Sequence, residues 1–410
     1  MKRNMILATS AFCGCWIWKT YYADPLEKHQ LQGIHKLFQL KYLGLGGGVP
    51  ALPKQIEELE NLETLDIRPT RVRQLAVDDG DFQRLAHLLV TGVELPSGVG
   101  KMKNLQELSM VDVSKSNAAA VQELGELLKL RILGLKWSLK KGDKDCAACE
   151  QNLVDALNKL TLQHLCLDAD KDCSLDFLVE SWCPSSKLRE FKLACSHYYF
   201  PHVPKTMARA ELPRLTYLEI GMATVSNEDL DILGGLRALI ILKLRSGDSD
   251  KQRVVIGGQA GFPLLELFWL ERRDGAITVT GLSFKERAMP KLRKLRLRCK
   301  YNALGLGAAL AGPELGLGNL GSLKQVHVKM DLEGVADPDV EAAVAAVTKA
   351  ANVPSKCRLE ISVSIVSAAL KMFCLLTVFI RLLFPFQLRQ IKLGSISGSG
   401  RLHQAPSGWY

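Results

Sequence analysis

The stretch PKLRKLRLRCK, Pro290 to Lys300, alternates leucine with arginine and lysine. A period of two is that of a half-buried strand, while the density of cations is that of a nucleic-acid-binding arm. The two readings part on whether the stretch is unique. Aligning leucine-like residues as L-x-x-L-x-x-L-x-L places MPKLRKLRL (289–297) beside LENLETLDI (59–67), MKNLQELSM (102–110), LLKLRILGL (127–135), LPRLTYLEI (212–220) and LRALIILKL (236–244). It is one member of a series.

The same frame takes in LFQLKYLGL (37–45), FQRLAHLLV (82–90), LTLQHLCL (160–167), KLREFKL (187–193), FPLLELFWL (262–270) and LGSLKQVHV (320–328), with CRLEI (357–361) as a further unit. From Leu43 to Val326 the equivalent apolar positions recur at a mean of about 26 residues, the spacing of leucine-rich repeats. A helical bundle is set aside, because period-3.6 helices would not restart after Pro and Gly at such distances. The expected fold is an α/β repeat. It is an irregular leucine-rich-repeat solenoid, or horseshoe, with a parallel concave sheet and short helices or irregular segments on its convex side. AVQELGELLKL (120–130) reads as helix, whereas LPKQIEEL (52–59) and LPSGVGKM (95–102) suit a single turn. The interval from Leu133 to Leu165 is the longest and predicts an insertion. An asparagine ladder after the strands is mostly missing, which predicts weak backbone satisfaction at several turns.

Composition agrees with a folded chain: 47% of the 410 residues are hydrophobic and 23% charged. The net charge of +10 favours an acidic partner without choosing its class. The 11 cysteines are odd in number and often apolar in setting, as Cys166 is between Leu165 and Leu167, so a secreted disulfide framework is not indicated. No Asn-x-Ser/Thr sequon occurs. The main body is expected to be cytoplasmic.

At LPKQIEELENLETLDIRPTRVRQL (52–75) and LPSGVGKMKNLQELSMVDVSKSNAAAVQELGELLKLRILGL (95–135), the chain resembles the repeat domain of plant intracellular nucleotide-binding leucine-rich-repeat immune receptors, especially those of grasses. The resemblance covers about residues 24–362, with LEKHQLQGIHKLFQLKYL (26–43) as the way into the domain. It implies plant disease resistance and innate immunity: recognition of a pathogen effector or a guarded host protein, or restraint of a receptor's switch module. No G-x-x-x-x-G-K-[S/T] phosphate loop occurs in these residues, so nucleotide switching is not carried over. A truncated receptor, a gene-model fragment and a stand-alone repeat protein all remain open.

Other motifs point to no chemistry, and neither a catalytic site, a metal nor a cofactor is expected. GLGNLG (316–321) has dinucleotide-loop spacing but precedes a strand instead of following one. DADKDC (168–173) begins like a calcium loop, yet Cys173 and Val179 stand where the turn glycine and the bidentate glutamate belong. Cys146 and Cys149 form a CxxC without a second pair. Cys195 and His197 lack an orienting third group.

Function should therefore lie in protein binding by the residues that alternate with the inward leucines. Early units offer Thr64, Asp66, Arg68, Glu107 and Ser109. Later units offer a more basic set: Lys192, Lys243, Arg245, Trp269, Lys294, Arg296, Arg298, His327 and Lys329. Strands spaced about 4.8 Å apart would align Lys243, Trp269, Arg296 and His327 in one column. Glu190, Glu219, Glu271 and Glu360 interrupt the patch, which argues against nucleic acid, whose backbone wants an unbroken basic track.

The ends read differently. MILATSAFCGCWIW (5–18) gives the first 23 residues an atypical apolar segment. IVSAALKMFCLLTVFIRLLFPF (365–386) is long enough to cross a bilayer, and an apolar C-terminal helix is expected over 363–393. It either inserts in a membrane, making the chain an attached scaffold that recruits cytosolic partners, or caps the solenoid. Residues 394–410 are expected to be a disordered tail.

Overall fold

The computed structural model describes residues 34–366, less a number of short stretches of which 273–281 and 303–314 are the longest, together with 376–382. Each repeated segment contributes one strand: β1 (Tyr42–Gly44), β2 (Thr64–Asp66), β3 (His87–Leu89), β4 (Glu107–Asp112), β5 (Ile132–Trp137), β6 (His164–Ala169), β7 (Glu190–Leu193), β8 (Tyr217–Met222) and β9 (Ile241–Ser246). The series resumes after β10 (Val254–Ile256) with β11 (Leu267–Arg272), and after β12 (Leu282–Phe284) with β13 (Lys294–Asn302), β14 (Gln325–Glu333) and β15 (Arg358–Val366). With β16 (Leu376–Leu382) these form a 14-stranded sheet that follows chain order and leaves out only β10 and β12, which pair with each other in parallel.

Successive repeats pair in parallel, so the leucines of the shared motif stack in register. The column from Leu43 through Leu65, Leu133, Leu242 and Leu295 to Leu359 is at most 1% exposed throughout these residues. Burying each such side chain contributes about 1.5–3 kcal/mol, and no repeat can do it alone because its neighbours supply the walls.

At the start of most strands of the main sheet the main chain makes a repeated fork. Glu63 N–H and Thr64 N–H both donate to the Lys41 carbonyl, at 2.8 and 2.9 Å. The same fork recurs from Gln106 and Glu107 to Ala86, and as far along as Lys324 and Gln325 to Arg293. Where asparagine does occur, it joins neighbouring turns: Asn61 Nδ2 donates to Phe38 O at 2.9 Å and Asn104 Nδ2 to Gln83 O at 2.6 Å.

One irregularity sits in β4. Met110 has φ +41°, and the register with β5 shifts between Leu108 and Val111. Gly134 of β5 faces this bulge, where a Cβ would lie 2.7 Å from the Met110 nitrogen. Only glycine lets the two strands approach here.

The connectors build the convex layer with α1 (Ala118–Glu123), α2 (Cys146–Lys159), α3 (Phe177–Ser181), α4 (Lys205–Arg209), α5 (Asn227–Gly234) and α6 (Asp337–Ala351). The insertion between Leu133 and Leu165 is the 14-residue α2. The stretch 120–130 is helical in its first half and then tightens to a turn at Leu124–Glu126, while 52–59 and 95–102 supply the short turns Lys54–Glu58 and Val99–Lys101. Large side chains fill the space between layers, among them Trp182 against Phe191 with ring centroids 4.9 Å apart.

The C-terminal helix expected over 363–393 is corrected within the described residues. Residues 363–366 complete β15, and β16 is a strand pairing antiparallel to it, with Ile361 opposite Ile380. Thr377, Val378, Phe379 and Ile380 are β-branched or aromatic, types that suit a strand. The last parallel strand offers an edge of unpaired N–H and C=O groups that such a segment satisfies. No helix among the described residues is long and apolar enough to cross a membrane. The apolar segment within residues 1–23, the residues 367–375 and 383–393, and the tail 394–410 lie outside the described residues.

Candidate partner-binding face

Period-two alternation sends every second residue of the sheet to the concave side, and register turns these into columns. The middle column runs Lys192, Glu219, Lys243, Trp269, Arg296, His327 and Glu360, from β7 to β15. Two residues further along each strand, from β8 to β14, an outer column runs Gly221, Arg245, Glu271, Arg298 and Lys329.

The middle column holds a cluster of charge and ring. Lys243 Nζ lies 5.2 Å from the centroids of both the Tyr217 and Trp269 rings, and 3.5 Å from Glu219 Oε2. Tyr217 donates its hydroxyl hydrogen to the same Glu219 oxygen at 2.5 Å. Burial and then that carboxylate raise the phenol pKa, so Tyr217 stays a neutral donor. On the other side, the Arg296 guanidinium sits 5.9 Å from the Trp269 centroid. The indole lies between two cations, each such contact contributing about 0.5–1 kcal/mol at an exposed site.

Several residues expected to meet a partner are otherwise engaged. Arg245 is the clearest case: it reaches across β8 and donates Nη2–H to the Leu193 carbonyl at 2.5 Å and Nη1–H to the Cys195 carbonyl. Its fork closes the end of β7. Arg298 stands between Glu271 and Asp331, at 2.9 Å from each. Burial opposes its charge, but the two carboxylates outweigh that and raise its pKa. Lys329 lies 3.9 Å from Asp331. His327 bonds to Ser362 Oγ through Nε2 at 3.0 Å, and its pKa is lowered, by burial first.

Lys192, Lys294 and Arg296 are left. Lys192 and Lys294 are exposed and Arg296 is half-buried, and among the described residues none of the three has an ion-pair partner. The early units present little free charge: Asp66 is 6% exposed and accepts both Nε–H and Nη2–H of Arg68, while Ser109 Oγ accepts from Val90 N at 3.0 Å.

Sequence reasoning missed Tyr217, which enters the cluster diagonally from the strand start. Its signal was the half-buried first position of the strand, the tyrosine of TYLEI, in register with Ile241 and so beside Lys243. The acidic residues noted as interruptions, Glu219 and Glu271, turn out to be the partners of the cations.

The motifs that carried no chemistry are structural. Gly316, at φ +69°, opens the turn Leu317–Asn319, and Asn319 Nδ2 donates to Phe284 O at 2.8 Å. Asp170 and Asp172 pair with Lys136 and Lys140, at 3.1 and 3.8 Å. Cys146 and Cys149 begin α2, where burial pushes the Cys146 thiol up to about 11. Cys195 is buried, and His197 lies outside the described residues. Among the described residues no three His, Cys, Asp or Glu side chains converge as a metal ion requires.

Residues 2–358 match the family described as leucine-rich repeat region. Among curated proteins, Disease resistance protein RGA5 of Oryza sativa subsp. japonica is 29% identical over 270 residues, which is 64% of this chain and 23% of that protein. Disease resistance protein RGA4 of the same rice is 26% identical over 294 residues, 68% of this chain and 28% of that protein. Disease resistance protein Pik-2, again from rice, is 26% identical over 363 residues, 74% of this chain and 34% of that protein. The chain thus spans about a quarter to a third of the length of these relatives. An internalin of Listeria monocytogenes aligns over 79% of this chain and 88% of its own at 14% identity and a TM-score of 0.33, a loose likeness. With a match that runs through nearly every repeat, the chain belongs to the leucine-rich repeat region family.

Proposed function

We propose that this repeat domain acts in plant disease resistance as a non-catalytic, cytoplasmic binding module that holds a protein partner against its concave face. The partner is a pathogen effector, a guarded host protein or the switch module of a receptor. The observation that carries this reading is the Trp269–Arg296 pair. A partly exposed indole backed by cations, within the parallel sheet, has the composition of a binding hot spot. The names of the rice relatives support the setting.

The test is affinity capture from plant cells with the wild-type chain and with Trp269→Ala combined with Arg296→Glu, the bound proteins being compared by mass spectrometry. A partner lost only with the variant supports the reading. Identical protein sets place binding elsewhere. Alkaline carbonate extraction separates this reading from a membrane-attached scaffold, which would stay in the pellet.

A further inference from the structure

We infer that Arg296, with Trp269 beside it and Lys294 at its approach, is a seat for one carboxylate of an extended protein segment whose neighbouring residue is aromatic or apolar. This rests on the reading of the concave face as a protein-binding surface and specifies its ligand.

The argument is one of elimination by charge. Lys243 is compensated by Glu219, Arg298 by Glu271 and Asp331, and Lys329 by Asp331, while Arg245 is tied to main-chain carbonyls. Arg358, at the start of β15, has Glu360 at 2.9 Å. Arg296 lies in the middle of this group without an ion pair among the described residues. Its register neighbours are Trp269 on one side and His327 on the other. A planar guanidinium beside the indole with no acid of its own keeps a fork that can take a carboxylate through two parallel hydrogen bonds.

The surroundings also set how much negative charge fits. Glu219 and Glu360 lie in the same column as Arg296, Glu271 in the next and Asp331 in the one beyond, all within one to three strands. A run of acidic residues or a phosphate backbone would bring its second and third charges against these carboxylates. One carboxylate meets Arg296 and Lys294 alone. Adjacent strands are about 4.8 Å apart, so a ligand residue on Trp269 falls within two positions of the acidic one. The indole then buries an apolar group next to the ion pair, excluding water from it.

The experiment is selection of a phage-displayed random peptide library on the immobilised full chain, followed by affinities of individual enriched peptides. Expected are peptides with a single Asp or Glu within two residues of Phe, Tyr, Trp or Leu. Their binding falls about tenfold or more with Arg296→Gln, less with Arg296→Lys, and stays within about twofold with Lys324→Gln, which removes the same charge at a surface position. Unchanged thermal melts show that the variants are folded. Peptides without an acid that still lose binding with Trp269→Ala would overturn the carboxylate seat and leave the binding face standing. Peptides indifferent to both Trp269→Ala and Arg296→Gln, or no enrichment at all, would overturn both.

Discussion

Arg245 and Cys195 are joined by a hydrogen bond that spans a whole strand: the guanidinium on β9 reaches across β8 to the carbonyl beyond the end of β7. β7 stops at Leu193, so its last carbonyls lack the partners that a longer strand would give them. Arg245→Met keeps much of the apolar stem and removes the donors. We expect a loss of about 2 kcal/mol, the scale of charge-assisted hydrogen bonds, in chemical denaturation. Partner binding through Trp269 should be little changed.

How much of this was legible in the sequence follows from what each feature depends on. The column Lys243, Trp269, Arg296 and His327 was readable because register follows from the leucine frame that every repeat shares. The role of Arg245 was not readable, since it depends on β7, two strands away, stopping early. The pairing of Arg298 needed the side chains of strands on both sides. The helix expected after residue 362 failed because a long apolar run does not separate helix from strand, and the β15 edge decided between them. The triplets VVI (254–256) and LSF (282–284) form the convex pair β10–β12, and nothing in their spacing tied them to each other.

The bulge in β4 makes a local prediction. Gly134→Ala places a methyl group 2.7 Å from the Met110 nitrogen, which is backbone and cannot swing aside. The strain should cost about 1–3 kcal/mol, visible as a lower thermal midpoint. Gly318→Ala is the control, because a Cβ there meets nothing within 4 Å.

Asp229, 3% exposed, links two connectors. It accepts from Val203 N–H at 2.9 Å, one repeat earlier, and from Ser226 N–H at 3.0 Å, while Ser226 Oγ accepts from Asp229 N–H at 3.0 Å to complete a capping box at the start of α5. Ser226→Ala should cost about 1 kcal/mol as an ordinary cap. Asp229→Ala leaves two N–H groups unpaired and should cost about 3 kcal/mol. Equal losses in denaturant titrations would contradict the link between repeats.

His327 gives a pH dependence. Its pKa is lowered from 6.5 chiefly by burial, with Glu360 opposing and Arg296 and Lys329 adding to the effect. As pH falls below 6.5, the unfolded chain takes up this proton before the folded one does, so the stability present above 6.5 is lost as pH falls through the folded value. His327→Gln should flatten the part of the stability-against-pH curve that lies below 6.5. A wild-type and a variant curve that run parallel through this range would count against a half-buried imidazole that resists protonation.

The central claim is that the concave face around Trp269 is where the partner sits. Its most direct test is titration calorimetry of a purified partner, first captured by the wild-type chain, against wild type and Trp269→Ala. The account predicts a loss of at least about tenfold in affinity, with the thermal midpoint of the repeat domain unchanged. An affinity unaltered by removal of the indole would contradict it.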